Sequence, residues 1–188
     1  GTYCVLQETE DVIWIGTSSQ GLIRYNFATR EKTIFKTDPL NSGTISMNTI
    51  RTAYKDRSGK LWFGTYGKGL NLFHPKTNSF TTYQIETNNP FSISDNTITV
   101  LFEDSKGTFW VGTGTGGLNR FDRSTGKFYR SKGTNSPGLS TSVTAIQEDI
   151  HQRLWVGTTT GLFRVIRKAG KQTYIRFTTK HGLPSDRI

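Results

Sequence analysis

The sequence predicts an all-β fold made of four copies of one four-stranded unit. Three observations predict it. The four tryptophans, Trp14, Trp62, Trp110 and Trp155, are spaced by 48, 48 and 45 residues, and each opens the same tetrad, from Trp14-Ile15-Gly16-Thr17 to Trp155-Val156-Gly157-Thr158. Fixed offsets surround each tetrad: an acidic residue six positions before (Glu8, Asp56, Asp104, Asp149) and a Gly-Leu pair after (Gly21-Leu22, Gly69-Leu70, Gly117-Leu118, Gly161-Leu162). The composition agrees, because 20 Gly, 29 Thr and 12% aromatics in 188 residues favour strands and tight turns over helices.

The second unit shows the elements in order. Ile50 to Lys55 reads as a first strand. Asp56-Arg57-Ser58-Gly59 is a tight turn in which Gly supplies the positive φ that hairpin loops need. Leu61 to Thr65, carrying Trp62 and Gly64, is the second strand, and Tyr66-Gly67-Lys68-Gly69 turns the chain again. Leu70 to Phe73 is the third strand, and His74 to Asn78 is a polar turn with Pro75 as breaker. Ser79 to Tyr83 is the fourth strand, and a polar loop from Gln84 to Asp95 leads to the next unit at Ile98. No stretch holds helical periodicity for about ten residues or more.

Four antiparallel strands repeating every 45–48 residues is the signature of a β-propeller blade. The chain therefore reads as a propeller segment of four blades, with units at about 1–44, 45–92, 93–138 and 139–182, and with residues 183–188 beginning the next blade. Strand 1 should be innermost and strand 4 outermost. The structural core of the repeat should be Trp14, Trp62, Trp110 and Trp155 with Gly16, Gly64, Gly112 and Gly157, filling the space between adjacent blades. Thr2, Ile50, Ile98, Val143 and Ile188 share one slot inside strand 1, so the segment reads as a fragment of a larger array.

The run Asp104-Ser105-Lys106-Gly107-Thr108-Phe109-Trp110-Val111-Gly112-Thr113, followed by Gly116-Gly117-Leu118-Asn119-Arg120-Phe121-Asp122, resembles the two-component regulator propeller repeat. So do Ser94-Asp95-Asn96-Thr97-Ile98 and Gly182-Leu183-Pro184-Ser185-Asp186, each leading into a first strand. The resemblance covers all four units. It implies the periplasmic sensor region of a membrane-anchored hybrid histidine kinase, with seven-bladed propellers, a dimeric parent and a response to polysaccharide breakdown products. The remaining blades and domains of that parent would be partners of this segment. The first unit departs from the pattern at Glu8 and Asp11. The fourth departs at Gln152, in the glycine slot, and at Val165, where the other units have Tyr25, Phe73 and Phe121.

Composition and motifs narrow the function classes. The net charge is +10, and residues 151–188 hold 8 Lys/Arg against Asp186 alone. The aromatics recur at packing positions rather than interleaving with that charge, which argues against a nucleic-acid partner. No run of about 18 apolar residues occurs. Cys4 is single, so no internal disulfide forms, and it reads as a buried thiol. His74, His151 and His181 lie in separate loops without ligand spacing, so no metal site and no cofactor is expected. Gly112 to Gly117 matches a phosphate loop only superficially, because it lacks the Lys-Ser/Thr ending and the helix. The periodic acids open turns, where a carboxylate accepts backbone N–H bonds. A catalytic carboxylate is needed once or twice, not in every blade, so no catalytic residue is assigned.

Ligand contacts should come from loops at one rim, those joining strands 2 and 3 and those leading to the next strand 1. Tyr66 can stack on a sugar, with Lys68 in the same turn. Asn48, Asp95 and Asn96 sit just before an inner strand, and each also suits a turn or strand cap. The expected role is an extracytoplasmic sensor of oligosaccharide. A polysaccharide-acting propeller enzyme and a structural or protein-docking propeller are the alternatives.

Overall fold

A computed structural model describes residues 1–131, 139, 141–168 and 171–188. The chain divides into two compact units, one of Gly1–Ile85 with Asn96–Ile98, the other of Glu86–Asp95 with Thr99–Ile188. The first unit carries β1 (Thr2–Gln7), β2 (Val12–Thr17), β3 (Leu22–Asn26) and β4 (Lys32–Phe35) as one sheet. Its second sheet is β5 (Ile50–Lys55), β6 (Leu61–Thr65), β7 (Leu70–His74) and β8 (Ser79–Tyr83). The second unit carries β9 (Ile98–Glu103, its first residue in the first unit), β10 (Phe109–Thr113), β11 (Leu118–Asp122) and β12 (Lys127–Arg130). Its other sheet is β13 (Val143–Glu148), β14 (Leu154–Thr158), β15 (Gly161–Lys168) and β16 (Lys171–Phe177). Each sheet is a meander in chain order. One 3-10 turn, Thr179–His181, is the sole helical element among the described residues. The second sheet matches the sequence expectation except that β7 runs one residue further, to His74.

The acid before each tryptophan does more than hold a turn. In the second sheet Asp56 Oδ1 accepts from the backbone N–H groups of Ser58 and Lys60, both at 3.0 Å, and Oδ2 accepts from Trp62 Nε1 at 2.9 Å. Asp104 repeats this with Lys106, Thr108 and Trp110, and Asp149 with His151, Arg153 and Trp155. In the first sheet the longer Glu8 still reaches Trp14 Nε1, at 2.8 Å. In the three sheets that carry Asp, one carboxylate thus satisfies both the hairpin and the indole of its own sheet. Gly59 and Gly107 take the expected left-handed φ, 83° and 75°. Gln152 adopts φ 58° in the same slot, a conformation that costs a non-glycine about 1 kcal/mol.

Each tetrad threonine closes the next turn. Thr17, Thr65, Thr113 and Thr158 donate through Oγ1 to the carbonyls of Gly21, Gly69, Gly117 and Gly161 at 2.8–2.9 Å. The tetrad glycine leaves room for a first strand. A Cβ on Gly64 would stand 2.6–2.7 Å from Thr52 and Ile98, and one on Gly112 2.5–2.9 Å from Val100 and Val143. Only glycine lets the two strands approach so closely.

Within the first unit, Trp14, Phe63, Phe73 and Phe80 from both sheets share one core with Leu22, Ile45 and Ile50, and Phe35 packs on it. Within the second unit, Trp110 joins Leu118, Leu139, Val143, Ile146, Leu154, Val156, Phe163 and Val165. Trp14, Trp62 and Trp110 are fully buried. Trp155 is only half-buried and packs on Phe177, ring centres 5.6 Å apart. Cys4 is likewise half-buried rather than buried. Burial pushes its thiol up to about 11 despite the hydrogen bond with the Gly16 backbone, so it stays protonated and inert at neutral pH.

Candidate ligand-binding rim

In the first unit the two loop sets meet at one edge of the sheets. The N–H of Gly21 donates to the Asn48 carbonyl at 3.1 Å, and the N–H of Gly69 donates to the Asn96 carbonyl at 2.7 Å. Each strand 2–3 turn is therefore tied to the residue that introduces the next first strand.

The candidate residues divide by what their side chains already do. Asn48 Oδ1 accepts from Thr37 N–H at 2.9 Å, and Asn96 Oδ1 accepts from Ile85 N–H at 2.8 Å. Both asparagines cap the loop that brings the chain to them, the capping reading of these positions. In the second unit, Asp95 Oδ2 accepts from both Thr115 N–H, at 2.6 Å, and Thr115 Oγ1, at 2.8 Å, and so braces a strand 2–3 turn. Tyr66 is different. Its ring is 54% exposed and lies under the Arg51 guanidinium at 5.5 Å, while its backbone bridges to Thr97 and donates to Thr49 O. Lys68 is exposed, and only its backbone is engaged: its N–H donates to Thr65 Oγ1 and its carbonyl accepts from Gln84 Nε2, both at 3.1 Å. Tyr66 and Lys68 thus share one turn; Asn96 is tied to that turn through Gly69, and Asn48 to the turn of the first sheet through Gly21. The third approach loop, from Asn135 to Ser142, lies largely outside the described residues.

Lys68 edges a groove of about 380 Å³ in the first unit. The loop from Thr37 to Ser46 forms one wall, and Thr82 and Gln84 form the other. The loop is held by a lock that the sequence reading missed. Ser46 N–H donates to Asn71 Oδ1 at 3.0 Å, and Asn71 Nδ2 donates back to Ser46 Oγ at 2.9 Å. The second unit repeats it between Ser94 and Asn119, at 3.1 and 2.7 Å. Both asparagines are fully buried. The signal was present, since each pair is 25 residues apart and the two pairs differ by one 48-residue period. Ile45 and Ile93, one residue before each serine, are fully buried and pin the same loops.

A family model described as the two component regulator propeller matches residues 44–67, 92–115 and 137–160. The three repeats so matched are two component regulator propeller repeats. Each matched regulator propeller stretch runs from the approach loop through β5–β6, β9–β10 or β13–β14 and into the next turn. No curated protein sequence matches the chain. Among solved structures, the chain is similar to the extracellular domain of the hybrid two component system BT3049 from B. thetaiotaomicron. That match has a TM-score of 0.76 at 22% identity, over 94% of this chain and 24% of that one. The extracellular domain of the one component system BT4673 from the same organism gives 0.74 at 24% identity, over 95% and 23%. Virginiamycin B lyase from Staphylococcus aureus gives 0.66 at 12% identity, over 96% and 57%. The fold is a β-propeller of four-stranded blades. The chain spans about a quarter of the length of the first two of these structures.

Proposed function

We propose that this chain is part of the extracytoplasmic sensor region of a two-component signalling histidine kinase, and that it recognises oligosaccharides released by polysaccharide breakdown. The observation that carries the reading is the regulator propeller match, which falls on three successive blades and takes in their first two strands and the loops on either side. The likeness to extracellular domains of B. thetaiotaomicron signalling proteins supports it. A stiff rim suits a sensor, because side chains held by hydrogen-bonded loops bind without first paying an ordering cost. In the parent, a homodimer, the ligand shifts an equilibrium between two arrangements by binding one better than the other.

The enzyme reading draws on the likeness to a lyase propeller. Against it, the periodic carboxylates are committed to indoles and turns, as at Trp62 and Trp110. A thermal-shift screen of the ectodomain against oligosaccharides separates the readings, since a ligand that binds the folded state raises its melting temperature by mass action. The expected result is a dose-dependent rise with one glycan class, and that glycan recovered intact. Recovery of a cleaved glycan would establish the enzyme, and a flat response to every glycan would leave the docking role.

A further inference from the structure

We infer that the sugar is held not at the inner mouth of the rim but in the groove between the 37–46 loop and Lys68, and that the groove takes one unit of a neutral oligosaccharide. This rests on the carbohydrate reading above and assigns it a place.

Three features of the first unit carry the inference. The first is what is already occupied. Asn48 and Asn96, beside the inner strands, spend their side-chain oxygens on the Thr37 and Ile85 N–H groups. Polar groups that hold the backbone are poorly placed to exchange partners for a ligand. The groove instead presents side chains with capacity to spare. Lys68 has no ion-pair partner among the described residues, and Asp38 spends one oxygen, Oδ1, on Leu40 N–H at 2.9 Å. Gln84 gives its Nε2 to the Lys68 carbonyl, which points its amide across the same wall and leaves Oε1 as an acceptor.

The second feature is preorganisation. Thr44 Oγ1 accepts from Asp38 N–H and donates to the Asn41 carbonyl, both at 3.0 Å, and Asn41 Oδ1 accepts from Gly43 N–H at 3.0 Å. The Ser46–Asn71 lock and the buried Ile45 anchor the far end of the loop. The wall is therefore built before any ligand arrives.

The third feature is the match of size and charge. About 380 Å³ lies at the small end of ligand pockets, room for one sugar unit with its chain continuing into solvent. The lining mixes donors and acceptors around the apolar Pro39, as a polyol with C–H faces requires. Asp38 offsets Lys68, so a uronate or sulfate gains at the lysine and loses at the aspartate, whereas a neutral hydroxyl can donate to one and accept from the other. The +10 charge of the chain as a whole lies elsewhere.

The test is amide NMR and calorimetry on the full chain with cellotetraose, mannotetraose, maltotetraose and xylotetraose, and with tetragalacturonate as the acidic probe. The expected result is that one neutral tetrasaccharide shifts the amides of residues 37–46, 68 and 84. Lys68→Met, which removes no structural hydrogen bond, should weaken that binding about tenfold with an unchanged melting temperature. Tyr66→Ala should leave it unchanged. Shifts centred on Arg51 and Tyr66 would overturn the groove while keeping the carbohydrate reading. Binding of tetragalacturonate alone would overturn the neutral specificity. An absence of binding by every saccharide would overturn both the groove and the reading it rests on.

Discussion

The two units solve the same packing problem with different chemistry. In the first, the space around Trp14 is filled by rings. Phe35 stacks at 5.3 Å, Phe63 tilts against it at 5.1 Å, and Phe73 from the adjoining sheet meets it edge-on at 4.8 Å. In the second, the corresponding Trp110 sits in a cluster that is mostly aliphatic, with Phe163 its one fully buried ring partner among the described residues. Val165 stands where Phe73 stands in the first unit, and the smaller side chain is accompanied by Arg167, two residues on. The Arg167 guanidinium covers the Trp110 ring at 5.5 Å and pairs with Asp104 at 2.8 Å. The acid–indole pair is common to both joints, but its surroundings differ. Glu8 is 22% exposed and paired with a half-exposed Arg24, whereas Asp104 is wholly buried. The repeat thus dictates the indole, its carboxylate and the glycine beside them, and leaves the filling free so long as volume and charge are satisfied.

The largest break in this comparison should come from the indoles themselves. Trp14→Ala and Trp110→Ala are each expected to cost about 3–5 kcal/mol in chemical denaturation, and an effect below ~1 kcal/mol would mean that the joint does not depend on its tryptophan. Removing the cation separates the units. Arg167→Met should cost about 3 kcal/mol, since it strands a buried carboxylate, while Arg24→Met should cost under about 1 kcal/mol, since Glu8 can turn to water. Equal losses would refute the distinction between a buried and a wet carboxylate. Tryptophan to phenylalanine isolates the indole N–H. Trp110→Phe is expected to lose about 1–3 kcal/mol and Trp14→Phe less, again because Asp104 is cut off from water and Glu8 is not.

Acid provides a gentler probe. Burial by itself would raise the Asp104 carboxyl, but hydrogen bonds from Trp110 and Thr108 and the charge of Arg167 hold it below the usual carboxylate range. Asp149 is depressed in the same way: burial opposes the shift, and hydrogen bonds from Trp155, Arg153 and His151 outweigh it. A carboxyl whose folded pKa is lowered contributes stability that is fully present above its unfolded value, about 3.9, and is lost as pH falls toward the folded value. The melting temperature of the wild type should therefore drop steeply between about pH 4 and pH 2, and Asp104→Asn should flatten that limb. A parallel limb in the variant would show that Asp104 does not carry the acid response.

Much of this was legible in the chain. Trp62 and Gly59 act within a few residues of their own positions, and the glycine at Gly64 recurs two residues after each tetrad tryptophan, so a repeating pattern suffices to announce the strand, the turn and the close approach. The boundaries of β5, β6 and β8 followed from the same pattern. The rim candidates were legible only as positions. Nothing in the sequence distinguishes Asn48, whose oxygen is spent on Thr37 N–H, from Lys68, whose ammonium is not. Asn71 looked like one more polar residue in a strand, yet it is fully buried because Ser46 reaches it from 25 residues away.

By itself, then, the sequence determined the blade: the number of strands, their order, the turn chemistry and the residues that must be large or absent at each joint. These follow from short-range turn and strand chemistry and from residue choices that recur at fixed offsets in four units. Only the tertiary structure decided what fills each joint, which polar groups are consumed in holding the loops, and which are left to face a groove. Those outcomes depend on side chains far apart in sequence competing for the same space and the same hydrogen bonds, and no local pattern records who wins.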